Sequence, residues 1–114
     1  MGILLFMTVI RYFIHNNNNP VKDFLDENPR IKTKAFRLFY HVKEFGLSSI
    51  IPHIKRLSGL PFWEIRILGK DKARIIYASK VKEEIILLHA FKKKTMKTPQ
   101  KEINITLKRY KQIT

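Results

Sequence analysis

The stretch PFWEIRILGKDKARIIYASKVKEEIILLHAF, residues 61–91, decides the fold. Its first part, residues 61–68, alternates with period two. Trp63, Ile65 and Ile67 fall on one face, and Glu64 and Arg66 on the other, which is the signature of a β-strand. Gly69-Lys70-Asp71 reads as a turn, ARIIYA (73–78) as the next strand, residues 79–83 as a second turn, and EIILLHAF (84–91) as a third strand. Two tight connections in succession predict an antiparallel meander.

Upstream, residues 7–14 (MTVIRYFI) are rich in β-branched and aromatic side chains and predict a first strand, ended by the four asparagines at 16–19. Asn19 before Pro20 is a helix start: the amide side chain caps free N–H groups, and proline sits where its missing N–H costs nothing. A helix over 20–27 turns Val21, Phe24 and Leu25 inward, and Asn28-Pro29 breaks it. Ile31, Ala35, Leu38, Val42 and Phe45 recur at helical spacing and predict a longer helix over 30–45, with Gly46 at its C-cap. Residues 47–60 read as a loop carrying Lys55 and Arg56. Downstream, Thr98 caps a final helix with Pro99 in its first position, Glu102 in its first turn and an apolar stripe of Ile103, Leu107 and Tyr110. The order β-α-α-β-β-β-α predicts one α+β domain over residues 1–114. Its N-terminal helical hairpin packs on one face of a mainly antiparallel sheet, and the other face is left free to bind.

The 114 residues suit a single domain, and 45% of them are hydrophobic, enough for a core. The chain has no cysteine, which excludes disulfides, thiolate metal sites and cysteine nucleophiles and fits a reducing cytoplasm. The apolar run at 1–14 is not read as a secretory signal. No basic segment precedes it, Arg11 interrupts it, and it is shorter than the roughly 20 residues a membrane helix needs. The net charge of +14 points to a polyanionic partner, with a plain solubility charge as the alternative. The excess is uneven: nine cations against four acids precede residue 61, and fourteen against five follow.

No glycine-rich phosphate loop, zincin motif or nucleophile elbow is present, and His15, His41, His53 and His89 are too scattered for a standard metal spacing. No metal or cofactor is expected. What remains is a set of cations on or near the sheet: Arg66 beside Glu64, Arg74 on the paired strand, His89 near the end of the third strand of the meander, then Lys92, Lys93, Lys94 and Lys97. Convergent cations suit a phosphate, and a metal-free phosphodiester cleavage could use them with a proton-transfer group. Histidine titrates nearest neutrality, and arginine's planar fork matches phosphate oxygens. Each residue also has a duller reading: Glu64 and Arg66 as a solvent-side pair, His89 as a buried structural histidine, and the lysine run as a solvated turn.

These residues carry a resemblance. GLPFWEIRI (59–67), ARIIY (73–77) and IILLHAFKKKTMKTPQKEI (85–103), with PVKDFLDENP (20–29) as a first helix, resemble the phage-derived HigB-like branch of the RelE/ParE toxin superfamily over roughly residues 7–112. The resemblance implies a compact toxin fold with a twisted sheet. It also implies a ribosome-dependent mRNA endonuclease that cuts without a metal, held in check by a HigA-like helix-turn-helix antitoxin, with a heterotetramer as the expected complex. By position it places Arg66 and Arg74 at the scissile phosphate and makes His89 and Glu64 candidate catalytic groups. Lys92, Lys93, Lys94, Lys97, Lys55 and Arg56 are the candidate RNA contacts. Residues 1–6 extend beyond the usual start, which makes Met7 a candidate initiator. The competing readings are a ParE-like, non-enzymatic inhibitor of gyrase and a plain RNA-binding module. The final helix, poor in acids, is expected to lie against RNA rather than in a core.

Overall fold

The computed structural model describes residues 8–113. The expectations for residues 1–6, for Met7 and for the start of the first strand lie partly or wholly outside them. The elements run β1 (Val9–Tyr12), α1 (Pro20–Glu27), α2 (Pro29–Phe45), 3-10 turns over Leu47–His53, β2 (Ile54–Arg56), β3 (Trp63–Ile67), β4 (Ala73–Ala78), β5 (Glu84–Lys92) and α3 (Gln100–Gln112). One five-stranded sheet has the order β1-β5-β4-β3-β2, antiparallel throughout except that β1 pairs with β5 in parallel. This is the α+β arrangement expected from residues 61–91, with the α1–α2 hairpin on one face.

Local signals account for most boundaries. The Asn19 side chain accepts a hydrogen bond from the Lys22 N–H, and Pro20 opens α1. Asn28 closes α1 and Pro29 starts α2, so one Asn-Pro pair serves both helices. Gly46 ends α2 with φ +82°, a conformation that L side chains rarely adopt.

Every residue of β4 is buried, because this central strand is covered on both sides. Ala73, Ile75 and Tyr77 join the core beneath the hairpin, with Val21, Leu25, Ala35, Val42, Ile65 and Leu87. Ile76 and Ala78 face the other way, into a second cluster with Phe13, Phe62, Leu88 and Phe91.

That second cluster corrects two expectations. Helices cover both faces of the sheet, not one. The final helix does not lie free for RNA: Leu107, Tyr110 and Ile113 pack on the second cluster, with Tyr110 edge-on to Phe62 at 5.2 Å. The apolar stripe of α3 needs a sheet face, and Lys101, Lys108 and Lys111 take the outer side while Arg109 reaches the sheet.

Two smaller corrections concern 30–60. In α2 the inward set is Ile31, Ala35, Phe39 and Val42, while Phe45 is 54% exposed. Phe39 stands one turn beyond Ala35 and meets Tyr12 edge-on. The segment read as a loop at 47–60 contains the 3-10 turns and β2, whose three residues are too few to show an alternating pattern.

Replacing Ile75, fully buried at the middle of β4, by Ala should lower unfolding free energy by about 2–5 kcal/mol. Asn19→Ala should cost about 0.5–2 kcal/mol through the lost cap. Urea denaturation with an unchanged slope would confirm both.

Candidate functional site

On the second face, beside α3, the alternation of β3 and β4 brings Glu64, Arg66 and Arg74 together. Arg66 and Arg74 are directly opposed across the strands, and Glu64 stands one position along, opposite Ile76. Like charges directly opposed destabilise a sheet unless something intervenes. Glu64, 1% exposed, places Oε1 3.5 Å from Nε of Arg74, itself 6% exposed. The other carboxylate oxygen accepts from the Thr98 hydroxyl at the approach to α3. The expectation of a solvent-side Glu64–Arg66 pair is therefore replaced by a buried Glu64–Arg74 pair. Thr98, read as a helix cap, instead anchors this carboxylate, and α3 has no side-chain cap.

Arg66 turns toward the 3-10 turns and donates Nη2–H to the Pro52 carbonyl at 2.9 Å. Its own carbonyl accepts from His53 Nδ1 at 3.1 Å, which fixes the His53 tautomer. Its Nε is buried with no hydrogen-bond partner among the described residues. A buried, unpaired donor costs about 1–3 kcal/mol.

The electrostatics describe an under-neutralised cluster. Burial pulls the Arg74 guanidinium below its ordinary value, Glu64 partly offsets this, and Arg66 adds to it. Lys93, just past β5, is also drawn down: first by loss of solvent, then by Arg74 and Lys72, with Glu64 opposing and Lys55 adding. Lys55 is paired with Glu64 in the β2–β3 register and so shares its face. One carboxylate thus stands among Lys55, Arg66, Lys72, Arg74 and Lys93. Next to them Lys72, Lys93, Lys94, Thr95 and Met96 border a shallow recess.

His89 reaches the same face through a β-bulge. Ile76 pairs with His89 but Tyr77 with Leu87, so Leu88 is an extra residue in β5. The ring stacks on Phe91 at 5.5 Å. Arg109 donates to Nδ1 at 3.0 Å, so the proton sits on Nε2, which donates to Glu102 at 2.8 Å. Burial is the main force holding His89 below its ordinary 6.5; Arg109 adds to it and the Glu102 hydrogen bond opposes it. The neutral ring is thus held at both nitrogens by α3, the arrangement of a histidine that ties helix to sheet.

Other candidates stand apart. Arg56 lies with its guanidinium 5.3 Å from the centre of the Trp63 ring, on the hairpin side. Lys92 borders a recess with Arg30 and Asp71, also on that side. Lys94 and Lys97 are exposed on the segment between β5 and α3. Thr98, Lys72, Glu102 and Arg109 were not among the sequence-based candidates. Their partners lie far along the chain (Thr98 and Glu64 are 34 residues apart), and no local spacing signals such a contact. Among the described residues no group of three or more acidic or histidine side chains could hold a metal ion, and no helix is long and apolar enough to cross a membrane.

A family model described as phage derived protein Gp49-like (DUF891) matches residues 22–111, most of α1 to nearly all of α3. No curated protein matches the chain.

Two outcomes follow from this geometry. Glu64→Ala leaves a buried guanidinium unpaired and should destabilise the fold by about 3–5 kcal/mol, whereas Glu64→Leu combined with Arg74→Met should recover much of that; denaturant unfolding reads both. For His89, the folded state disfavours the proton, so its stabilising contribution is complete above pH 6.5 and declines as pH falls below that toward the depressed folded value. The melting temperature should fall across that window and lose this dependence in His89→Gln. Asp26, held down to about 2 by Lys22 and Lys32, titrates well below it.

Proposed function

Taking as premise that the chain belongs to the phage-derived Gp49-like family, a toxin-like family of the RelE/HigB type, we propose that it is the toxin of a type II toxin–antitoxin pair and arrests translation by cutting messenger RNA on the ribosome. The observation that carries this reading is the buried Arg74. It is opposed to a second arginine, balanced by a single carboxylate, and lies at the edge of a lysine-rich surface.

In this proposal Arg74 and Arg66 grip the scissile phosphate, with Lys93, Lys72 and Lys55 adding positive potential. The ribose 2′-oxygen attacks the adjacent phosphorus, a cyclic phosphate forms, and the 5′-oxygen leaves with a proton from Lys93, which its surroundings hold below its ordinary pKa. The added negative charge on phosphorus is stabilised by these fixed guanidinium charges. Glu64 holds the guanidinium in place, and its Oε2, once released by the Thr98 hydroxyl, would be the acceptor of the 2′-hydroxyl proton. His89 enters through Arg109 and Glu102, keeping α3 seated so that Thr98 meets Glu64. Lys94 and Lys97, exposed beside this surface, contact RNA farther out.

Charge stabilisation and proton transfer by the chain's own groups suffice for this reaction, so it is assigned neither metal nor cofactor. It places the protein in the cytoplasm, where ribosomes work. Its antitoxin is a HigA-like helix-turn-helix protein in a heterotetramer. The excess of positive charge around Arg74 favours an acidic inhibitor surface.

Removing one preorganised donor from such a site costs about 10²–10³ in rate. Arg74→Lys, which keeps a charge beside Glu64 and with it the fold, should therefore lose most of the growth arrest, since lysine lacks the fork, whereas Arg74→Ala should lose all of it together with stability, because it leaves the buried Glu64 unpaired. Mapping of mRNA 5′ ends after induced expression reads this: new ends in translated regions, sharply reduced with the charge-conserving Arg74→Lys, support the proposal. Growth arrest without new ends would transfer the reading to a non-enzymatic inhibitor of the gyrase-binding type.

A further inference from the structure

The run of four asparagines builds a second feature, away from the Glu64–Arg74 cluster. Asn16 and Asn17 both have positive φ (49° and 65°), and His15 and Asn18 exchange backbone hydrogen bonds of 3.0 and 2.9 Å. This is a two-residue turn of the kind asparagine tolerates. It faces the C-terminal half of α3 across a cleft of about 430 Å³.

The sides of that cleft are chemically mixed in a particular way. Phe13 and Ile105 give it an apolar floor. The His15 ring, exposed, lies nearly parallel to Phe13, with 12° between the planes and 6.4 Å between centroids. The Arg109 guanidinium lies 5.8 Å from the centre of the Phe13 ring, and Lys108 stands beside it. Asn18 and Gln112 add amide groups that both donate and accept. A planar stacking surface, two adjacent cations and amides able to meet a heterocycle's edge are together what an unpaired nucleotide needs.

We propose that this cleft binds one unpaired nucleotide of a single-stranded RNA, its base against the His15 ring and its phosphate against Lys108 and Arg109. The choice of RNA rests on the nuclease reading above, since the cleft is joined to that site by contact. Arg109 lines the cleft and grips His89, His89 stacks on Phe91, and Phe91 is directly opposed to Arg74. From Gln100, two residues past Thr98, to Lys108 at the cleft is about 12 Å along the helix. A few nucleotides of extended strand cover that distance. The cleft would then hold a nucleotide a short way from the scissile bond and set the register of the cut.

The test titrates the full chain with each nucleoside 5′-monophosphate and with inorganic phosphate, followed by amide NMR shifts. Shifts at Asn18, Lys108 and Gln112 are expected, with a monophosphate bound more tightly than phosphate. His15→Ala should weaken binding at least about fivefold, the low end of the effect of removing a stacking ring. Lys108→Glu, also at an exposed position, should weaken it further. Shifts confined to Lys93 and Lys94, equal affinity for phosphate, or full affinity in both His15→Ala and Lys108→Glu would overturn the assignment. The two readings fail separately. Cleavage that depends on Arg74 with no nucleotide in the cleft removes only the cleft. A nucleotide bound in the cleft by a protein that generates no new mRNA ends supports the cleft and removes only the nuclease.

Discussion

A guanidinium buried at the centre of a sheet must be answered by a charge, and most of the second face is arranged around that requirement. Arg74 lies on the one strand whose every residue is buried, opposite Arg66. Glu64 answers it from the neighbouring strand, and Thr98 holds the far oxygen of Glu64. Breaking such a pair is costly, while the pair itself is not strongly stabilising compared with well-packed apolar residues. A fold that only needed stability could have used a leucine and a methionine here. The cluster that results joins a buried ion pair to half-buried and exposed cations, and its inner charges are screened less by solvent than those of an exposed lysine run.

The same requirement explains the position of α3. Thr98 and Glu102 at its start and Arg109 near its end all contact the sheet through polar groups: the Glu64 carboxylate, the His89 ring and the Leu88 carbonyl. Leu107, Tyr110 and Ile113 supply the apolar contact between them. The helix is therefore held by hydrogen bonds that depend on geometry as well as by burial, which depends on area. Its basic outer side stays available, and its ends border two different surfaces, the Arg74 cluster and the cleft beside His15.

A single extra residue decides which side chains reach that face. With strict alternation from Ile85, residues 85, 87 and 89 would share one face, and His89 would sit beneath the α1–α2 hairpin. The bulge at Leu88 shifts the phase, so that Ala90 takes the place in the hairpin core and His89 and Phe91 join Ile76 on the other side. A register change of one residue reverses every side chain beyond it. Here it carries a histidine and an aromatic ring to the face where α3 packs.

The strands at 63–67, 73–78 and 84–92, helices α1 and α2, and the Asn19 and Gly46 boundaries were legible in the chain. Alternation, helical spacing and capping act over a few residues, and the sequence records them directly. The placement of Glu64 and Arg66 on one face of their strand was legible for the same reason, since period two assigns faces within a strand; that Arg74 joins them is decided by the β3–β4 register. The edge strand β2, the parallel seat of β1, the second apolar cluster, the Thr98–Glu64 contact and the bulge at Leu88 were not. Each depends on partners distant in sequence, and which partner wins is settled by burial of whole faces rather than by any local preference. The sequence by itself thus determined the elements and the side of each strand that bears charge. The tertiary structure alone decided which charges meet, because a buried arginine selects its carboxylate by what packing leaves within reach.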